Sequence, residues 1–241
     1  MTTLAHIEAT ADDSGKGIIA CGQPIVVHGD AALGPLVIPC DGTIAGQVWG
    51  AGAALGHSLI GKTLPARPEV VEIGSGTGVA GLAAAIAGAA RVVLTDMPTC
   101  VGRLQQAIER NKEVLSGSEV LAAPLEWGDA EAALAVAPEG VDLVIAADVL
   151  YSGEPAVHEA LRASMVALGK ARDASILHAY EERWPQIVSM WRDGMEAGGL
   201  RLVRESVLDA PWIVPDGAYS GFRERRLILE EIRLTDEALY S

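Results

Sequence analysis

The sequence predicts an α/β fold: a doubly wound, mostly parallel sheet whose last strand is reversed, preceded by a β-hairpin extension. Three observations predict it. The runs "EVVEI" (69–73), "RVVLT" (91–95) and "VDLVIAA" (141–147) are apolar enough to be buried on both faces, as parallel strands between two helical layers must be. Helix-like stretches alternate with these runs along most of the chain. Finally, "LRLVRESV" (200–207) and "ERRLILEEI" (224–232) are joined by a linker too short, and too broken by Pro211, Pro215 and Gly217, for a crossover helix. They are expected to pair antiparallel at the sheet edge.

Taken in order, residues 16–40 alternate short apolar runs with Gly, Pro and Asp, which suits one or two hairpins. The stretch "QVWGAGAALGHSLIG" (47–61) reads as a helix carrying Trp49, Leu55 and Leu59 toward the core, against the helix-weakening effect of its glycines. Strand 69–73 leads through a glycine-rich turn into a tight helix over 79–87. Strand 91–95 stops at Asp96, a helix covers about 99–115, and a short strand follows near 119–122. After strand 141–147 come helix 154–168, strand 174–179 and helix 183–197.

The length of 241 residues allows one sizeable core, and half the residues are apolar. With 32 acidic against 18 basic side chains, the net charge of −14 repels nucleic-acid phosphates, so no nucleic-acid partner is expected. The longest apolar run, Val79–Ala90, is far shorter than the roughly 20 residues of a membrane span. Cys21, Cys40 and Cys100 form no metal or redox spacing, and the five histidines are scattered. A reducing, cytoplasmic setting without a metal is expected.

"VVEIGSGTGVAG" (70–81) carries the chemistry. A phosphate loop needs a lysine, and none lies between Lys62 and Lys112; a nucleophile elbow needs glycines flanking Ser75, where Ile73 and Thr77 stand. The dinucleotide fingerprint is met by Gly74, Gly76 and Asp96, but its third glycine falls at 78, one position early. Glu72, in the strand just before the turn, suits a ligand with a positive centre better than a pyrophosphate. S-adenosylmethionine is such a ligand, with Asp96 placed to accept its ribose hydroxyls. A dinucleotide site and a purely structural turn remain the alternatives.

Two later stretches belong to the same rim. In "LEWGD" (125–129), Trp127 can wall an adenine ring while a backbone amide or the Asp129 carboxylate meets its amine. Alternatively, Trp127 packs a loop and Asp129 caps the next helix. In "IAADVLYSGEP" (145–155), an apolar strand ends in Asp148 with Tyr151 three residues on. That pair can orient an acceptor amine, or can simply stabilise a turn.

The combination of "GQVWGAG" (46–52), "VVEIGSGTGVAGLAAA" (70–85), "VLTDMP" (93–98), "ERN" (109–111), "LEWGD" and "DLVIAADVLYSGE" (142–154) resembles the seven-β-strand protein methyltransferases of the methyltransferase-like 21 group, within the methyltransferase 16 family. "LHAYEER" (177–183) is a weaker match, and the resemblance covers about residues 40–235. It implies a Rossmann-like, seven-stranded class I S-adenosylmethionine-dependent methyltransferase domain over 46–241, with residues 1–45 as the hairpin extension. It further implies that Trp49, Glu72, Gly74, Gly76, Asp96, Trp127 and Ala147 line the S-adenosylmethionine site, with S-adenosylhomocysteine as product. Asp148 and Tyr151 would be the catalytic pair at the acceptor, and Tyr180 and Arg183 would flank its entrance. The activity implied is methyl transfer to a lysine of an intracellular protein by a monomer. A small-molecule methyltransferase of the same fold and a non-catalytic cofactor-binding module are the alternatives.

Overall fold

The computed structural model describes residues 25–28, 35–39, 43–60, 64, 67–208 and 226–240. Its elements are β1 (Ile25–His28), β2 (Pro35–Ile38), α1 (Gly50–Ile60), β3 (Glu69–Ile73), α2 (Val79–Ile86), β4 (Arg91–Asp96), α3 (Val101–Asn111) and β5 (Glu119–Pro124). There follow α4 (Ala130–Val136), β6 (Leu143–Ala147), α5 (Pro155–Gly169), β7 (Ser175–Glu181), α6 (Pro185–Asp193), β8 (Leu200–Val207), β9 (Leu227–Leu234) and α7 (Asp236–Tyr240).

Seven strands form one sheet in the order β5-β4-β3-β6-β7-β9-β8. The first five are parallel, and β9 runs antiparallel between β7 and β8. The expected antiparallel pair is present at the edge, with the later strand on the inside. Burial explains that order: β9 buries Ile228, Leu229, Ile232 and Leu234, whereas β8 leaves Arg201, Arg204 and most of its length in water. Charges on an outermost strand also discourage pairing with a second chain.

Apolar side chains fill a layer on each face of the sheet. One contains Leu55 and Leu59 of α1, Leu82 of α2, Leu104 of α3, and Leu36 and Ile38 of β2. The other contains Leu161, Met165 and Leu168 of α5, Trp191 of α6 and Ala238 of α7. The antiparallel β1–β2 pair is tied to the first layer by Asn111. Its amide nitrogen donates to the Val37 and Ala107 carbonyls, and its oxygen accepts the Val37 N–H at 2.7 Å.

Several boundaries differ from the sequence expectation. Helix α1 starts at Gly50, so Trp49 precedes it and lies half-buried outside the core. The helix expected over 99–115 splits into a 3₁₀ turn (Pro98–Cys100) and α3, which ends where the Asn111 side chain turns toward β2. Helix α6 covers 185–193 instead of 183–197; Pro185 fits its first turn, where no backbone donor is needed. Cys21, Cys40 and the Pro211–Gly217 linker lie outside the described residues.

The glycines of α1 have a tertiary purpose. A Cβ on Gly56 would stand 3.1 Å from Ala83 Cβ and 3.4 Å from the Val79 carbonyl oxygen, so its absence lets α1 lie directly on α2. Close packing offsets the propensity cost of about 1 kcal/mol for a mid-helix glycine. It also carries the start of α1 to the end of β6, where a Cβ on Gly52 would lie 3.7 Å from Ala147 Cβ.

Candidate functional site

The candidate site forms at the carboxyl ends of the parallel strands, around the point where chain order reverses between β3 and β6; open α/β sheets bind ligands at such places. The turn after β3 is laced to β4. Ser75 N–H donates to the Thr95 carbonyl at 2.9 Å, Thr95 N–H donates to Ser75 Oγ at 3.0 Å, and Thr95 Oγ1 donates to the Glu72 carbonyl. Gly76 sits in the left-handed region at φ +54°, and its N–H donates to Asp96 Oδ2 at 2.7 Å. A Cβ there would stand 3.1 Å from the Ala45 carbonyl oxygen, because the short turn Ile44–Gly46 lies against it. Asp96 Oδ1 accepts the Met97 N–H, which fixes the carboxylate at the strand end.

Trp127 closes one side. A Cβ on Gly74 would lie 3.0 Å from Trp127 Cζ2 and 3.0 Å from Val149 Cγ1, so the indole rests against the turn. The Tyr151 ring stands 5.8 Å from that of Trp127, tilted and mostly exposed. Partial desolvation of the phenol, followed by the nearby Asp96 charge, raises it above its ordinary value. The Asp129 carboxylate accepts the Ala132 N–H and caps α4.

Glu72 lies under the turn and away from solvent. The side chain is 2% exposed and tucked under the first turn of α2, where Oε2 accepts the Gly81 N–H at 3.1 Å. Gly81 makes room for it, since a Cβ would fall 2.7 Å from that oxygen. Burial pushes the carboxyl up to about 8, against the opposing hydrogen bonds of Gly81 and Ser75. Burial beneath α2 thus favours the protonated acid.

Beyond β6, Asp148 has φ +58°, an uncommon conformation for a non-glycine residue, and its N–H donates to the Ala179 carbonyl. Its carboxylate is nearly buried and pairs with Arg183 Nη2. Burial raises the Asp148 carboxyl from its ordinary value, while Arg183 and a hydrogen bond from the Glu181 backbone pull it down. Arg183 Nε also meets Glu181 Oε2 at 3.2 Å. Its guanidinium carbon lies 4.9 Å from the Trp49 ring centre and 5.5 Å from that of Trp184. Trp49 is anchored in turn by donating its indole N–H to the Ile44 carbonyl.

Tyr180 does not flank this entrance. Residues alternate along β7, so His178 and Tyr180 face the α5–α6 layer while Ala179 lies in the α1–α2 layer. Tyr180 is 1% exposed, donates to Glu230 Oε1 and accepts from Arg192. Glu230 is also held by His178 Nδ1 and by N–H groups of Trp191 and Arg192. Glu181 was missed by sequence reasoning although it lies inside "LHAYEER"; an acidic residue at a strand end reads as solvated until the fold buries it.

The structure thus gathers Gly74, Gly76, Asp96, Trp127 and Tyr151 around the turn. Trp49, Asp148 and Arg183 form an adjoining group with Ala147 just before Asp148 in the chain, whereas Glu72 lies beneath the turn and Tyr180 in the buried Glu230 network. The rim around the turn thus presents an ordered carboxylate at Asp96, the indole of Trp127 and the phenol of Tyr151.

A lysine methyltransferase family model matches residues 39–191. EEF1A lysine methyltransferase 3 of Mus musculus is 32% identical over 109 residues, covering 45% of this chain and 44% of that protein. Protein-lysine methyltransferase METTL21E of Mus musculus is 37% identical over 85 residues, covering 35% and 34% respectively. The matched stretch therefore spans less than half the length of these curated relatives. Among solved structures, the magnesium protoporphyrin IX methyltransferase of Synechocystis PCC 6803 with bound S-adenosylmethionine has a TM-score of 0.50 and 20% identity, covering 76% of this chain and 77% of that one.

Proposed function

The chain belongs to the lysine methyltransferase family and has the class I S-adenosylmethionine-dependent methyltransferase fold, and from that premise we propose that it transfers methyl groups to a lysine side chain of an intracellular protein. The observation that carries the reading is the nearly buried Asp148 carboxylate, followed by Tyr151, on the strand end next to the glycine turn.

S-adenosylmethionine would supply an electrophilic methyl group on a sulfonium. In this reading Asp96 accepts the ribose hydroxyls, Trp127 walls the adenine, and the backbone of Gly74 and Gly76 lies against the remainder. Trp49 and Ala147 bound the side nearest α1. Methyl transfer is an in-line displacement, so the protein's main task is alignment. A lysine has an ordinary pKa near 10.4 and must arrive as the neutral amine. Desolvation in the pocket favours loss of its proton, while the Asp148 charge opposes it. Asp148 accordingly orients the amine by accepting a hydrogen bond and does not act as general base. Tyr151 borders the channel and limits water.

Among the described residues no helix is long and apolar enough to cross a membrane. A monomer in a reducing cytoplasm, acting on a protein without nucleic acid, is the setting we propose. The test incubates the protein with methyl-labelled S-adenosylmethionine and a reducing lysate, then identifies labelled bands by mass spectrometry. A discrete protein methylated on lysine is expected, with Asp148→Asn losing at least about 100-fold in rate while still binding S-adenosylhomocysteine by calorimetry. Cofactor binding without transfer to any protein would redirect the reading to a small-molecule acceptor or a non-catalytic module.

A further inference from the structure

Arg183 has more partners than an entrance residue needs. Its guanidinium meets Asp148 at the end of β6 and Glu181 at the end of β7, and it lies over Trp49 and Trp184. Its side chain is 13% exposed, while those of the two carboxylates are 4% and 1% exposed. We infer that Arg183 is a positioning residue that presents Asp148 to the acceptor nitrogen, and that Glu181, Trp49 and Trp184 form the box that holds its guanidinium in place. The inference rests on the proposed methyl transfer and assigns Trp49 a task on the acceptor side.

The chemistry favours a fixed clamp over a displaceable plug. A guanidinium is planar and forked, so Nη2 and Nε can address two carboxylates at once while its faces rest on aromatic rings. An ammonium has neither the fork nor the flat face. Expelling Arg183 to admit a substrate cation would strip a nearly buried Asp148 and Glu181 of this contact and uncover two indoles, a costly exchange. Asp148 also needs external support. It follows the end of β6, and the groups that hold its carboxylate, the Glu181 backbone and Arg183, come from the last residue of β7 and from just beyond it. With Arg183 and the Glu181 backbone as its donors, the carboxylate still keeps acceptor capacity for an incoming amine.

The test uses the full chain, methyl-labelled S-adenosylmethionine and the lysate protein labelled by the wild type. Arg183→Ala is expected to lower the transfer rate about 100-fold, as misplacement of a reacting partner by about 1 Å does. Its S-adenosylhomocysteine affinity should fall far less than the rate, because the polar partners of Arg183 are Asp148 and Glu181 and it meets the cofactor side only through Trp49. Adding methylguanidinium should restore part of the rate in Arg183→Ala and none in Asp148→Asn, while methylammonium should restore none. Arg183→Lys, the milder change for folding, should be slowed as well. Faster or unchanged transfer by Arg183→Ala would overturn the inference, as would full activity in Arg183→Lys. A loss accompanied by lost S-adenosylhomocysteine binding would also overturn it, by making Arg183 a support of the cofactor site. Absence of labelling by the wild type is a different result, one that defeats the proposed function itself and takes this inference with it.

Discussion

Replacing Glu72 by Gln should make the protein more stable, and increasingly so as the pH rises. The carboxyl is 2% exposed, and burial moves it from the ordinary 4.5 to about 8. The native state thus binds this proton more tightly than the unfolded chain does, so unfolding is progressively favoured as pH rises from 4.5 to about 8, with no further change above that. The gap between the two values, at about 1.4 kcal/mol for each tenfold change in proton affinity, comes to roughly 5 kcal/mol. Gln has the shape of the protonated acid, and its amide oxygen can keep the Gly81 N–H, but it never ionises. The stability difference between Glu72→Gln and wild type should therefore grow by roughly 4 kcal/mol between pH 5 and pH 9. In a chain of this size that is on the order of 10 °C in melting temperature. Urea unfolding of both proteins at several pH values measures it, and taking the difference cancels every other titration the two share. Parallel stability curves from pH 5 to pH 9 would refute the reasoning: the carboxyl would then be solvated or paired, not sealed beneath α2.

Two other perturbations probe the scaffold around the site. Glu230 is fully buried, and burial alone would raise it. His178, Trp191 and Arg192 outweigh that effect and hold it down at about 2, so its stabilising contribution is complete above pH 4.5 and is lost as pH falls toward 2. Glu230→Gln should cost about 3 kcal/mol at pH 7 in thermal melts, with the deficit shrinking below pH 4.5; a deficit that persists unchanged into acid would show that charge is not the cause. Gly81→Ala would place a Cβ 2.2 Å from Leu94 Cδ2 and 2.7 Å from Glu72 Oε2, and should destabilise by about 1–3 kcal/mol. An unshifted denaturant midpoint would mean that α2 and the sheet are not so closely spaced.

Much of this architecture can be read from local sequence because its physical causes are local. A strand covered on both faces must be apolar throughout, so "EVVEI", "RVVLT" and "VDLVIAA" announce themselves. Where such a run stops at a polar residue, the chain reaches the sheet's rim, which is why Asp96 and Asp148 were placed beside the turn from sequence alone. Left-handed backbone favours glycine, and Gly74, Gly76 and Gly78 all adopt it, so the turn is equally visible.

What sequence left open depends on neighbours far along the chain. The glycines of α1 count against a helix until Ala83 is seen lying against Gly56. Nothing near Trp49 announces Arg183, which reaches it only after β6 and β7 are paired and α1 is laid across them. Tyr180 and Glu181 are adjacent in the motif, yet strand alternation sends Tyr180 into the buried Glu230 network and leaves Glu181 with Arg183. Glu72 was recognisable as an acid before the turn, but its protonation was decided by the helix packed over it. Backbone demands and apolar runs are properties of the sequence itself, whereas ion pairing, burial and proton affinity are set by whatever the fold brings within a few ångströms.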